Sequence, residues 1–257
     1  MIILFIITFL FGLAAGSFLN CLIYRLAHKK TLFGRSFCPR CQHQIAWYDN
    51  IPILSFIILG GRCRHCHQKI SWQYPLVELI TGFFLVINFF IRLNQFPISD
   101  FRLPIILIRD WLMIFVSFFI FIYDLKYYLI EDIVILPITG LIFIANLILK
   151  ISLLNLLLAG ILAVCFFVFQ YLITRGCGIG LGDFRIGLLM GVYFGWPKIV
   201  LAIILSYLIG AIIAIFLVIL KKKKFTSRVP LGPFLAIGSL ITLYYGQEIL
   251  NWYFSKF

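Results

Sequence analysis

Two aspartates and four cysteines are the residues in this chain whose types and spacing point to chemistry. Asp183 stands in "GIGLGDFRIGLLMG" (178–191), behind Gly178, Gly180 and Gly182 and at the head of an apolar run. Asp124 stands in "YDLKYYLIEDIVILP" (123–137), at the tail of another. An ionisable group in or beside a transmembrane segment costs a few kcal/mol on insertion scales, so each needs a reason. Taken alone, Asp183 reads as a helix cap accepting first-turn amides, and Asp124 as a helix end at headgroup level beside Lys126. Taken together they suit a shared-proton pair, because facing carboxylates do not easily ionise at once. The charged partner can take a proton from water while the neutral one donates to a carbonyl oxygen or a leaving amine. Peptide hydrolysis needs that division of roles.

The cysteines form "CPRC" (Cys38, Cys41) and "CRHC" (Cys63, Cys66), with 21 residues between the pairs. Two such turns aim four thiolates at one point, the donor set of structural zinc. His43, His65 and His67 are alternative ligands that four cysteines make unnecessary. Disulfides are the weaker reading for a loop facing the reducing cytoplasm. Cys21 and Cys165 fall in apolar spans as small packing residues, and nothing near Cys177 would activate it as a nucleophile.

The elements that must position these groups follow from composition. Hydrophobic residues make up 63% of the 257 residues and charged ones only 12%, with a mean hydropathy of +1.09. A soluble domain could not hide that much apolar surface, so the chain reads as an all-α polytopic membrane bundle. Apolar runs at about 2–24, 75–92, 103–123, 133–149, 153–174, 184–195, 199–220 and 231–249 give about eight spans. Trp196-Pro197-Lys198 separates the short sixth run from the seventh. The organisation expected is a first span (1–24), a cytoplasmic four-cysteine module (25–74) and a transmembrane core (75–257).

The net charge of +13 would suggest nucleic acid in a soluble protein. Here the positive-inside rule accounts for it, no nucleic-acid partner is expected, and a basic face toward anionic lipid headgroups follows. The first span lacks a basic region before it and is followed by Arg25, Lys29 and Lys30, which reads as a retained anchor with its C-terminal end in the cytoplasm. With the N-terminus outside, the loops 25–74, 124–132, 174–183 and 221–230 are cytoplasmic, and both basic clusters, including Lys221 to Lys224 and Arg228, share that side. Asp124 and Asp183 then lie at one depth on the cytoplasmic side.

Several glycines carry packing expectations. Gly187, Gly191 and Gly195 recur at four-residue spacing and offer a small-residue face to another helix, with Gly12 and Gly16 a shorter version on the first span. Gly180 and Gly182 are expected to turn the chain sharply before Asp183, through positive φ at one of them. Gly232 and Pro233 interrupt the start of the last span and suggest a non-helical entry near the site. The segment "AWYDNIPILSFIILGGR" (46–62) is apolar enough to dock on membrane or bundle.

"GLGD" at 180–183 resembles the GxGD motif of intramembrane-type aspartyl proteases, and Asp124 in its context resembles the partner aspartate of type IV prepilin peptidases. "GSFLNCLIYRL" (16–26), the paired cysteines, "YPLVELITG" (74–82), "GLGDFRIGLLMG" (180–191) and "PLGPFLAIG" (230–238) look like that family's landmarks in its order. The family usually has Pro-Asp where this chain has Glu131-Asp132, so Asp132 is carried over as a supporting carboxylate only. The resemblance implies a bacterial inner-membrane endopeptidase that removes the basic leader from prepilins or pseudopilins at the cytoplasmic face, with Asp124 and Asp183 catalytic. It also implies N-methylation of the freed amine with S-adenosylmethionine, associated with the 25–74 region; the residues alone show no nucleotide fingerprint. Two other classes compete. A proton-coupled transporter would place carboxylates near the midplane and show an inverted repeat, and a non-catalytic zinc adaptor would leave the aspartates without a role.

Overall fold

Long apolar runs without water to hydrogen-bond their backbone have one local solution, the α-helix, and the computed structural model is helical almost throughout. It describes residues 1–32, 34–176, 179–220 and 229–256. Gly178, Cys177, Lys221 to Lys224 and Arg228 lie outside the described residues. Among the described residues there is no sheet, only two isolated β-bridges.

Contacts divide the chain into two units, Met1–Ile98 and Ser99–Phe257. The first holds α1 (Ile2–Ala27), a 3-10 turn (Trp47–Asn50), the one-turn α2 (Leu54–Ile58) and α3 (Gln73–Gln95). The boundary drawn at 74/75 from sequence followed the end of the polar loop, whereas α3 pairs with α1. Glycine makes that pairing possible. A Cβ on Gly12 would lie 2.6 Å from the Gly82 Cα, and one on Gly16 would lie 2.7 Å from the Glu78 Cα. The two backbones approach as closely as small residues allow. Past α1, the buried Arg25 guanidinium donates to the carbonyls of Thr31, Gly34 and Arg35 and so folds the chain back toward the cysteines.

The second unit holds α4 (Arg102–Tyr127), α5 (Asp132–Ile148), α6 (Leu153–Thr174), α7 (Leu181–Phe194), α8 (Lys198–Ile219) and α9 (Gly232–Phe254). Among the described residues, eight helices of 14 residues or more therefore meet the expected span count. Five of them, α1, α3, α4, α6 and α8, are long and apolar enough to cross a membrane by length and composition. At 14 residues, α7 rises only about 21 Å, less than the roughly 30 Å hydrocarbon core. The α4, α6 and α8 C-termini and the α5, α7 and α9 N-termini fall at the same end, which is how Asp124 and Asp183 come together.

Inside the bundle the polarity is the reverse of a soluble core. Leu, Ile and Phe side chains are exposed along every long helix, while Ser, Thr, Asn and Asp are buried. The buried hydroxyls of Thr139, Ser206 and Thr242 donate to carbonyls four residues back in their own helices. At the far end Asp110, 0% exposed, accepts from Arg109 at 3.0 Å and from the Tyr193 hydroxyl at 2.6 Å. Arg109 also donates to Asn146, whose amide donates to the Val192 carbonyl. Such a pair survives burial only when it is hydrogen-bonded throughout, and this one ties α4, α5 and α7.

The glycine face of α7 is partly as expected. A Cβ on Gly191 would lie 2.6 Å from the Gly160 Cα of α6, and one on Gly187 would meet the Phe167 ring. Gly195 is different: it caps the C-terminus of α7 at φ 64 and faces Asn155. Because Gly191 meets backbone, Gly191→Leu is expected to lower the thermal midpoint in detergent by the equivalent of about 1–3 kcal/mol or more. Gly140→Leu, where nothing lies within 4 Å, should leave it nearly unchanged. Equal midpoints for the two variants would show that close α6–α7 approach contributes no stability.

Candidate active site and metal centre

Asp124 sits in the last turn of α4 and Asp183 in the first turn of α7, each 6% exposed. Asp124 Oδ2 accepts the Gly232 N–H at 3.0 Å, at the first residue of α9. A Cβ on Gly232 would lie 2.6 Å from that same oxygen. The Gly232-Pro233 pair therefore does not interrupt a span; it opens α9 directly onto the aspartate, with proline in the first turn where its missing N–H costs nothing. Asp183 Oδ2 accepts the Gly180 N–H at 2.9 Å, closing the turn that starts α7. The capping role and the proximity to Asp124 coexist, since the two carboxylates feel each other's charge. No ion pair reaches either of them among the described residues. Tyr207 of α8 lies within electrostatic reach of Asp183, and its hydroxyl donates to Gln170 of α6.

The connector between α4 and α5 braces both aspartates. Glu131 accepts the hydroxyl of Tyr123, the neighbour of Asp124, at 2.7 Å. Asp132 pairs with Arg185, two residues beyond Asp183, at 2.7 Å. Ile130 occupies the space a side chain on Gly182 would need: a Cβ there would lie 2.6 Å from Cδ1 and 2.7 Å from Cβ of that isoleucine. The expected positive φ is not found. Gly180 is extended at φ −86, and Gly182 lies inside the helix. Gly182 is needed for room, and Gly180 for neither room nor dihedral, since its nearest neighbour would be an ordinary 3.7 Å away. Tyr123, Arg185 and Tyr207 were not singled out from sequence; a tyrosine and an arginine beside the aspartates are common residues with no spacing signal.

In the first unit the two C-x2-C turns converge. The four sulfurs of Cys38, Cys41, Cys63 and Cys66 lie within 4.8 Å of one another, with Cys38 and Cys66 3.8 Å apart. A tetrahedron with Zn–S of about 2.3 Å has an edge of about 3.8 Å, so the cluster fits zinc as it stands. The two turns are copies of one knuckle. Each is closed by a β-bridge, Phe37 with Gln44 and Arg62 with Lys69. Each carries a left-handed residue just after its second cysteine, Gln42 at φ 57 and His67 at φ 54. The backbone N–H of Cys66, working against desolvation, holds the Cys63 thiol down to about 7, so thiolate forms near neutral pH. The His43 and His65 rings pack against each other, tilted by 36° with centroids 3.5 Å apart. Cys165 is exposed on α6.

Two family models cover most of the chain. Residues 10–92 match the bacterial peptidase A24 N-terminal domain, and residues 111–215 match the type IV leader peptidase family. Prepilin leader peptidase/N-methyltransferases from Aeromonas salmonicida, Pseudomonas aeruginosa and Legionella pneumophila are 33%, 31% and 31% identical to it. Those alignments cover 98%, 96% and 97% of this chain and 94%, 92% and 94% of the relatives. No solved structure matches. The chain belongs to the type IV leader peptidase family. It is thus an enzyme, a peptidase of the A24 type with methyltransferase activity, as the full-length likeness to relatives of that double name supports.

Two outcomes follow from this geometry. Purified in detergent under reducing conditions without chelator, the protein should hold about one zinc per chain, lost in the Cys38→Ser, Cys66→Ser double variant. The 31–72 loop should then become protease-sensitive, since metal binding and folding are coupled. Absence of zinc from the wild type by elemental analysis would refute the metal centre. Separately, Gly182→Val should lower peptidase activity per folded molecule on the order of 10²-fold by displacing Asp183, while Gly180→Ala should stay near wild type. Equal losses in the two variants would return the glycines to a dihedral role.

Proposed function

We propose that this protein cleaves the leader peptide from prepilins or pseudopilins at the cytoplasmic face of the inner membrane, through Asp124 and Asp183. The observation that carries the reading is the convergence of these two carboxylates, each held by one backbone N–H and, among the described residues, neither in an ion pair. In that state the pair can share one proton. The ionised member accepts a proton from the attacking water, and the neutral member donates to the scissile carbonyl oxygen. The tetrahedral intermediate then collapses as a proton passes to the leaving amine. Asp132 acts through Arg185 and holds α7 in register; it is a positioning residue. The N-terminus lies outside, the lipid-facing surface is that of the exposed aliphatic side chains, and the zinc centre is structural.

The freed N-terminal amine is then methylated, as the relatives' names imply for those proteins. When bound, S-adenosylmethionine supplies the electrophilic methyl group. A proton-coupled transporter and a zinc adaptor leave the full-length likeness to leader peptidases without an account.

Asp124→Asn and Asp183→Asn keep side-chain volume but cannot titrate. Each should lower prepilin cleavage by about 10²-fold or more while the protein still inserts and holds zinc. Asp132→Asn, at a partly exposed ion pair, should be milder. Near-normal processing by either Asp124→Asn or Asp183→Asn, followed by gel shift of a prepilin substrate, would remove that residue from the dyad.

A further inference from the structure

The first unit contains a cavity of about 400 Å³ that the peptidase chemistry does not use. It lies between the last turns of α1, the first turns of α3 and the two knuckles, wholly within Met1–Ile98. Its size is that of a small-molecule site, which run roughly 300–1,000 Å³. Tyr24, Phe37, Phe56 and Tyr74 supply aromatic wall, and Arg40 and Lys69 stand exposed at its rim.

The charges inside the wall are mostly committed. Arg25 donates to backbone carbonyls, and Arg64 holds Asp49 through two bonds of 2.8 and 2.6 Å. Glu78 stands apart. It is 6% exposed on α3, and its carboxylate takes the Ile53 N–H at 2.8 Å and the Ser17 hydroxyl. Among the described residues no lysine, arginine or histidine forms an ion pair with it. A buried carboxylate without a cation is expensive unless something positive arrives. Ile53, which it holds, sits at φ 61 and ψ −50, a positive-φ conformation outside the allowed basins that a β-branched side chain adopts only when its surroundings impose it. The strained residue thus closes the wall of the cavity over the acid.

We propose that this cavity is the S-adenosylmethionine site, with Glu78 meeting the positive charge of the ligand. The assignment rests on the methylation reading above. S-adenosylmethionine carries a sulfonium and an ammonium for a buried carboxylate, an adenine for aromatic walls, and a carboxylate for a basic rim. The cavity presents those three features together.

Two measurements test it on the full-length zinc-loaded protein. In the wild type, Cys21 lines the cavity whereas Cys165 is exposed on α6. Saturating S-adenosylmethionine should slow alkylation of Cys21 by N-ethylmaleimide and leave Cys165 unaffected, read by peptide mass spectrometry. In equilibrium dialysis, Glu78→Gln, which keeps an acceptor for Ile53 but no charge, should weaken S-adenosylmethionine binding at least tenfold. Its effect on S-adenosylhomocysteine, which lacks the sulfonium charge, should be smaller; zinc content at the wild-type level shows that the unit has folded. If the protein binds S-adenosylmethionine yet Cys21 is unprotected and Glu78→Gln binds as tightly as wild type, the site lies elsewhere and methylation stands. If the wild type binds no S-adenosylmethionine, the methylation reading and this site fall together.

Discussion

Lipid offers no hydrogen bonds, so a carboxylate carried on a transmembrane helix has to be satisfied by the protein around it. In the second unit helix starts meet that demand. The first turns of α7 and α9 have backbone N–H groups without partners of their own and the positive ends of their helix dipoles. Gly180 gives its N–H to Asp183 and Gly232 gives its N–H to Asp124. Asp124 therefore couples the end of α4 to the start of α9, and a side chain at Gly232 would break that contact by direct collision. The hydrogen bonds that make the charges tolerable also fix where they point, which a dyad requires.

The α4–α5 connector extends the same logic to neighbouring side chains. Tyr128 ends α4 in the left-handed conformation and sends its N–H to the Asp124 carbonyl. Within the next four residues Ile130 fills the space beside Gly182, Glu131 binds Tyr123, and Asp132 binds Arg185. Glu131, which departs from the residue the resemblance led one to expect, thus turns its charge toward a tyrosine hydroxyl.

The helices were legible because continuous apolar runs admit no other backbone solution, and the knuckles because C-x2-C spacing is itself geometry. Gly12, Gly16 and Gly191 were legible as packing faces, since four-residue spacing puts small residues on one side. Partners were not. Whether Gly182 serves a dihedral or leaves room depends on Ile130, fifty-two positions earlier in the chain, and no local pattern encodes that contact. Gly195 kept the four-residue spacing yet ends the helix, because spacing does not register where a helix stops. The repeat of one knuckle in the other was present in the sequence, but its signal is two bridges and two left-handed residues, which only backbone geometry exposes. The cavity beside Glu78 was invisible for the same reason: its walls come from α1, α3 and both knuckles.

One helix carries both kinds of buried acid, and the contrast between them bears on function. Asp110 and Asp124 both belong to α4 and both are buried. Asp110 is neutralised by Arg109, reinforced by the Tyr193 hydroxyl, and the guanidinium lies 5.0 Å from the Tyr193 ring centre. Those bonds tie α4 to α7, so the site is a pin between helices. Asp124 has a backbone N–H and the charge of Asp183 but no cation among the described residues. Two carboxylates so placed can share one proton, and the proposed hydrolysis uses a proton exchanged between them. Among the described residues, Asp110 has an arginine against it whereas Asp124 has a backbone N–H and a second carboxylate, and that contrast is what sets the proposed chemical site apart from the structural pin.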